Sequence, residues 1–426
     1  MISIFSEGNY GIQNIEETKL GNPGVGGTEY LLLQLFYYLS QYEPELDPVF
    51  LTTDSALKGK NIIEVKGEDD VLPVMKKMGS ELLIFIPKDR SEHFFTQLEK
   101  ENIDSIAWVH NYLSYQVMNR LEKCKAVKRI IFVGRQHYDA YFDAGFLYKA
   151  DYIYNMVNKE NYQFIPAENK KNIVTYVGGL NKTKGFHKLA SVWKQILKNV
   201  PDAQLYVIGS GNLYSKDAKM GMLGIADEKY ERQVRKYLSA KEGKVLESVH
   251  FMGRMGREKE QIIRQTKVGV ANPTGKSETF CLSAVEFKQY GVPVVTYRGK
   301  GLLDTVHDGE DGILIRSHRQ LRNGIVMLLQ DNALNTKLGD NGFQNGSTKF
   351  TPEVVIKEWH RVIDEVQQNL SPAIHVPDSF WRDDWKWLKY GNYCIRKRVG
   401  GNWKSVAYYV SYWKEKAKVV LKHIKK

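Results

Sequence analysis

The feature that most constrains this chain is a repeated alternation. Short apolar runs rich in β-formers are separated by longer stretches with helical period. That pattern predicts parallel sheets covered by helices, because each parallel strand needs a crossover to return to the same edge. The runs fall in two series. Strands are expected at 1–5, 48–52, 81–86, 105–110, 129–133 and 151–154, then at 172–177, 203–208, 249–252, 268–271, 293–296 and 312–315. Between the series, 158–171 is polar and carries Pro166, so it reads as a linker. A chain of 426 residues is long enough for two such cores. The division expected is an α/β domain over 1–157, the linker, a second α/β domain over 172–350, a closing helix over 351–370 and a tail over 371–426. Ligands in doubly wound sheets bind beyond the carboxyl ends of the strands, which makes the space between two such domains the expected site.

Charge narrows the partners. Of the formal +12, the last 56 residues hold 13 Lys and Arg against 4 Asp and Glu, a net of +9. The body is nearly neutral, which argues against a nucleic-acid-binding globular domain. Three cysteines, Cys124, Cys281 and Cys394, match neither a disulfide framework nor a metal-ligand spacing, so a reducing, cytoplasmic setting is expected. The opening residues look like a first strand rather than a signal peptide, and no run of about 18 apolar residues occurs. The paired acids Asp69-Asp70 and Asp383-Asp384 sit in surroundings unsuited to a metal.

Chemistry concentrates in three segments. The first is Ser277-Glu278-Thr279-Phe280-Cys281-Leu282-Ser283-Ala284-Val285-Glu286, placed between a strand ending near Pro273 and the Gly291-Val292-Pro293 that opens the next. A helix starting near Phe280 puts Glu278 at its N-terminus and Glu286 two turns along. Backbone N–H groups there can meet phosphate while a carboxylate meets sugar hydroxyls. The second is Gly178-Gly179-Leu180-Asn181-Lys182-Thr183-Lys184-Gly185, a strand-to-helix loop. The third is Gly24-Val25-Gly26-Gly27-Thr28-Glu29, which leads into a helix reaching about Leu39. It does not fit the dinucleotide fingerprint, and a nicotinamide oxidoreductase is set aside on that ground.

Together these segments resemble the retaining GT-B glycosyltransferases of family 4, glycosyl transferases group 1. The Glu278/Glu286 pair resembles the family's E-x7-E motif, and 178–185 resembles its G-R-L-x-x-x-K-G. The resemblance implies two Rossmann-like domains facing a cleft. It implies Glu278 on the donor sugar, with Thr279, Phe280, Cys281 and Leu282 lining the donor beside it, and Glu286 on the nucleotide ribose. Lys184, with Lys182 beside it, falls on the diphosphate. Gly26, Gly27, Gly178 and Gly209 allow close backbone approach. His110, at a strand end, takes the place of a His that reaches the donor sugar or phosphate. Catalysis would rest on Glu278, His110 and Lys184. Two positions depart from the family: Gly179 stands for the Arg and Cys281 for a Gly. They motivate the alternative of an inactive GT-B module acting as a glycan-binding or partner subunit. The expected reaction is hexosyl transfer from a nucleotide-diphosphate sugar, UDP-linked first, to a hydroxyl of a glycan or lipid-linked acceptor, in cell-surface polysaccharide or glycolipid synthesis. Neither a metal nor another cofactor is expected.

From Phe380 onward Trp381, Trp385, Trp387, Trp403 and Trp413 stand among lysines and arginines. An apolar stripe at Val406, Ala407, Val410, Trp413, Ala417, Val420, Leu421 and Ile424 keeps helical spacing. This predicts a helix lying in a membrane surface, on the inner face of the cell membrane, with packing on the first domain as the competing reading.

Overall fold

The computed structural model describes all residues except 89, 159, 161, 212–218, 241–242, 378–384, 400–402 and 425–426, and it describes no side chains over 421–424. Trp381, Asp383 and Asp384, and the side chains of Leu421 and Ile424, therefore lie outside the described residues. The chain forms two compact units.

The first unit is built on a parallel sheet of seven strands: β1 (Ile2–Ser6), β2 (Pro48–Thr52), β3 (Ile62–Glu64), β4 (Leu82–Phe85), β5 (Asp104–Val109), β6 (Val127–Phe132) and β7 (Ala150–Tyr152), in the order β3-β2-β1-β4-β5-β6-β7. β1, β2 and β4 are buried along their whole length, as unbroken apolar runs covered on both faces should be. β3 escapes the sequence reading because it has three residues, none of them fully buried, at the sheet edge.

The second unit carries β8 (Lys171–Val177), β9 (Gln204–Ile208), β10 (Val249–Gly253), β11 (Thr266–Ala271), β12 (Val294–Tyr297) and β13 (Gly312–Ile315), in the order β10-β9-β8-β11-β12-β13, all parallel. The order reverses between β8 and β11. The loops leaving the carboxyl ends of those two strands diverge there, which opens a crevice for a ligand. Both sheets are doubly wound, the α/β architecture the alternation predicts.

The units are not cut at a single point of the chain. Glu17–Tyr30 belongs to the second unit and Val355–Lys426 to the first. The chain passes from one unit to the other between Asn155 and Met156, next to the expected 157, but Glu17–Tyr30 lies in the other unit from the one expected, and the residues from Val355 onward, expected to be set apart, lie in the first. Asn158 is buried and gives its side-chain amide to the carbonyls of Thr18 (3.0 Å) and Lys19 (2.7 Å), and Arg257 reaches the Glu17 carbonyl at 3.0 Å. Nor is 158–171 a free linker. The Lys170 ammonium is buried on the carbonyls of Tyr290 (2.9 Å) and Gly291 (2.6 Å), and burial pulls its pKa down to about 7.

The tail forms two helices, Lys386–Val399 and Val406–Ile424. Tyr390, Tyr393, Ala407 and Tyr408 pack on the first unit's core. The Lys386 ammonium lies buried 2.8 Å from Asp139, while Asp143 accepts from the Asn392 amide at 2.7 Å and the Val406 N–H at 2.6 Å. A buried carboxylate is costly without such partners, so these bonds bind the tail to the sheet that precedes it.

Candidate functional site

The site of the second unit is made by three loops at the carboxyl edge of its sheet. After β8, residues 178–185 turn into the helix Phe186–Asn199. The Asn181 side-chain oxygen accepts from the N–H groups of Thr183 (3.0 Å) and Lys184 (2.9 Å), a local turn that Asn makes readily. The buried Tyr176 hydroxyl reaches the carbonyls of Gly179 (3.2 Å) and Lys184 (3.1 Å). Gly185 closes the loop at φ +80°, and a Cβ there would stand 2.3 Å from the Thr274 methyl, so only glycine serves. Gly209, after β9, is equally constrained: at φ +144° a Cβ would lie 1.9 Å from the Gly178 carbonyl oxygen.

The third loop, 272–281, leaves β11. Asn272 and Ser277 both hold positive φ, 35° and 52°. Non-glycine residues in that region concentrate at functional turns. Asn272 turns its side-chain amide onto the Glu278 carboxylate at 2.8 Å, and the Lys184 ammonium reaches the same oxygen at 2.8 Å. Glu278 is 6% exposed. Burying a carboxylate is costly unless it is hydrogen-bonded, and these two donors supply the bonds. Thr274 bonds the Thr183 carbonyl, and the Lys188 ammonium reaches the Pro273 carbonyl at 3.2 Å, so the first and third loops are tied together. Lys188 also sits over the Tyr297 ring, and burial together with the nearby Lys276 lowers its pKa. Lys182 is exposed.

The helix after this loop begins at Leu282, two residues later than expected, and is seven residues long. Its start holds Phe280 edge-on to Phe350 at 5.4 Å and Cys281 buried, the thiol pushed up to about 12 by burial. Cys281 has φ −93°, a conformation any residue adopts, so its backbone does not require the glycine that stands here in the family. Along the helix, Glu286 accepts from the Lys259 ammonium at 2.7 Å. Thr279 is partly exposed beside Glu278.

The segment with Gly26 and Gly27, expected to approach from the first domain, is held by the second unit. Arg254 bonds the Gly24 carbonyl, and a Cβ at Gly27 would lie 3.5 Å from Leu282. Glu278, Glu286, Lys184, Gly178, Gly209, Gly26 and Gly27 are thereby gathered in one unit. His110 is not among them. It follows β5 in the first unit, 4.3 Å from the Trp108 ring, where burial drives its pKa down to about 3 and keeps it neutral. It lines a cavity of about 210 Å³ with Lys88, Tyr112 and Ser114.

Sequence reasoning missed Asn272 and Lys259. Their roles rest on a left-handed turn and on a contact 27 residues distant, and neither leaves a periodic signal. Among the described residues a second acid cluster, Glu43 and Glu45 around His360, lies in the first unit.

Residues 158–345 match the family described as glycosyl transferases group 1. The chain is similar to an uncharacterized glycosyltransferase of Methanocaldococcus jannaschii, 25% identical over 331 residues that cover 72% of this chain and 78% of the relative. It is also similar to the capsular polysaccharide biosynthesis glycosyltransferase CapM of Staphylococcus aureus, 25% identical over 203 residues, about half of each chain at 47% and 48%. Among solved structures, Anabaena HepE in complex with UDP and glucose superimposes with a TM-score of 0.62 at 15% identity, over 86% of this chain and all of that one. Sucrose-phosphate synthase from Thermosynechococcus elongatus gives 0.66 at 19% identity, over 86% and 99%. These two likenesses establish the GT-B fold. Residues 158–345 carry the glycosyl transferases group 1 region on that fold, and the chain is a glycosyltransferase.

Proposed function

We propose that the chain moves a hexose from a nucleotide-diphosphate sugar, UDP-linked, to a hydroxyl of a glycan or lipid-linked acceptor with retention, as a family 4 enzyme would. Its product belongs to cell-surface polysaccharide or glycolipid, made at the inner face of the cell membrane. The observation that carries the reading is the Glu278 carboxylate held by Lys184 and Asn272 at the sheet's switch point. A sugar diphosphate needs hydrogen-bond acceptors for its hydroxyls and cations for its phosphates. Glu278 and Lys184 supply the two side by side. Glu286, eight residues on, supplies an acceptor for the ribose. Lys184 stabilises the leaving diphosphate as its charge develops, and that electrostatic term lowers the barrier. The complex of HepE with UDP and glucose and the polysaccharide role named for CapM support the choice of donor and product.

The reading calls for no metal, so a chelator leaves the rate unchanged. The direct test is the purified chain with UDP-sugars and GDP-sugars. UDP release, protection of the second unit against heat by UDP, and an NMR coupling that shows the donor's anomeric configuration kept in the product support the proposal. A ligand at 100 times its Kd stabilises by about 2.7 kcal/mol, readily seen as a shift in melting. Protection by GDP alone, inversion, or a metal requirement overturns the corresponding part.

A further inference from the structure

The two C-terminal helices each have one face committed to the first unit. On Val406–Ile424 the committed side is Tyr408, whose ring lies 5.6 Å from Tyr115, Ser411, which accepts from the Tyr115 N–H at 3.0 Å, and Glu415, which accepts from the Gln116 amide at 2.8 Å. Val410, Trp413, Ala417 and Val420 are exposed. At 3.6 residues per turn those four share a stripe centred about 170° away from the committed side. Lys416 flanks the stripe on one edge and Lys414 and Lys418 on the other, all exposed. The helix Lys386–Val399 repeats the arrangement. Lys386, Tyr390 and Tyr393 face the core, while Trp387, Ile395 and Arg398 are exposed on the opposite side. Trp387 is 61% exposed and Trp413 64%. Among the described residues of both helices the one carboxylate is Glu415, on the committed side.

We propose that these outward faces form a docking surface for a bilayer rich in anionic lipid. The proposal deepens, and rests on, the membrane location given above. Tryptophan is suited to the headgroup boundary, where an apolar ring and an N–H both find partners. Valine and isoleucine contribute where acyl chains begin. Flanking lysines meet anionic headgroups, each adding to the attraction near the surface. A second copy of the chain fits poorly, since like charges would be brought together across the contact. Nucleic acid would answer the lysines but leave the aliphatic stripe without a role. The bonds to Asp139, Asp143 and Gln116 make the surface a rigid part of the first unit, so an acceptor embedded in the bilayer would be presented to a fixed face.

The test is flotation of the full chain with phosphatidylcholine vesicles and with vesicles containing phosphatidylglycerol. Wild type is compared with the double variant Trp387→Ala/Trp413→Ala and the triple variant Lys414→Glu/Lys416→Glu/Lys418→Glu. All five positions are exposed, and a circular-dichroism melt with heat protection by UDP verifies each fold. Wild type is expected to float with the anionic vesicles alone, and both variants to partition at least roughly tenfold more weakly with melts unchanged. Equal flotation of wild type and both variants overturns the surface and leaves the membrane location standing. Failure of wild type to float overturns both, while UDP protection in the same sample leaves the transferase reading intact. Variant-sensitive dimerisation in light scattering, or RNA binding without flotation, assigns the face to another occupant and overturns the proposal.

Discussion

At the scale of single residues, the site consists of bonds that convert ordinary side chains into a fixed arrangement. Glu278 is expected to be indispensable. Glu278→Ala should lower the transfer rate by at least about 100-fold, because a charged acceptor aimed at the sugar is lost, with the melting temperature little changed. Full activity in a folded variant would remove Glu278 from the reaction. Glycine roles divide by geometry rather than by motif. Gly209→Ala forces a methyl into the Gly178 carbonyl and should cost about 3 kcal/mol, seen as a lower melting temperature for the second unit. An unchanged melt would mean that the β8 and β9 loops separate freely. The spacing of Glu278 and Glu286 was legible because a motif records it. Asn272, which holds Glu278, was not, because its part depends on a backbone angle of 35°.

At the scale of elements, short segments are secured by partners far off in the chain. The helix Pro352–Gln367 is tied to the turn Pro44–Leu46 and its flank through His360, whose Nδ1 lies 2.7 Å from the Glu43 carboxylate. Burial works against the imidazolium, but the bond to Glu43 and the charges of Glu43, Asp364 and Glu45 hold its pKa above the usual value. A raised folded-state pKa adds stability that is fully present below the unfolded value of about 6.5 and is lost as pH rises through the folded one. The first unit should therefore lose stability as pH rises from about 6.5 through that higher value, and His360→Gln should flatten the dependence in denaturant melts across the window. An identical slope in the variant would refute the role. A similar distant bond explains 158–171: polar composition suggests a linker, yet Lys170 is buried on carbonyls of residues 290 and 291.

At the scale of the whole molecule, the tail carries part of the first unit's stability. Ending the chain after Ser371 strips Lys386 from Asp139 and both Asn392 and the Val406 N–H from Asp143, and uncovers Phe142, whose ring lies 4.7 Å from Tyr393. Sequence reasoning sets 371–426 apart as a tail, with packing on the first domain as the competing reading; these bonds tie it to the first unit. Differential scanning calorimetry of the shortened chain should show the first unit melting earlier by several degrees, while UDP still protects the second. A melt that matches the full chain would return the tail to the status of an appendage.

By itself the sequence determined the two parallel sheets, since strand and helix periods are local and each run carries its own burial pattern. It also determined the Glu278/Glu286 pair, Lys184 and the concentration of positive charge after Ser371. Only the tertiary structure decided that Glu17–Tyr30 joins the second unit, that His110 belongs to the first unit and Glu278 and Glu286 to the second, and which faces of the last two helices are committed to the core. Those outcomes depend on hydrogen bonds such as Asn158 to Thr18 and Lys386 to Asp139, made between residues 140 and 247 positions apart. A local period selects a helix and its apolar stripe, whereas the side that is buried is chosen by the distant carboxylate or carbonyl that most needs a partner.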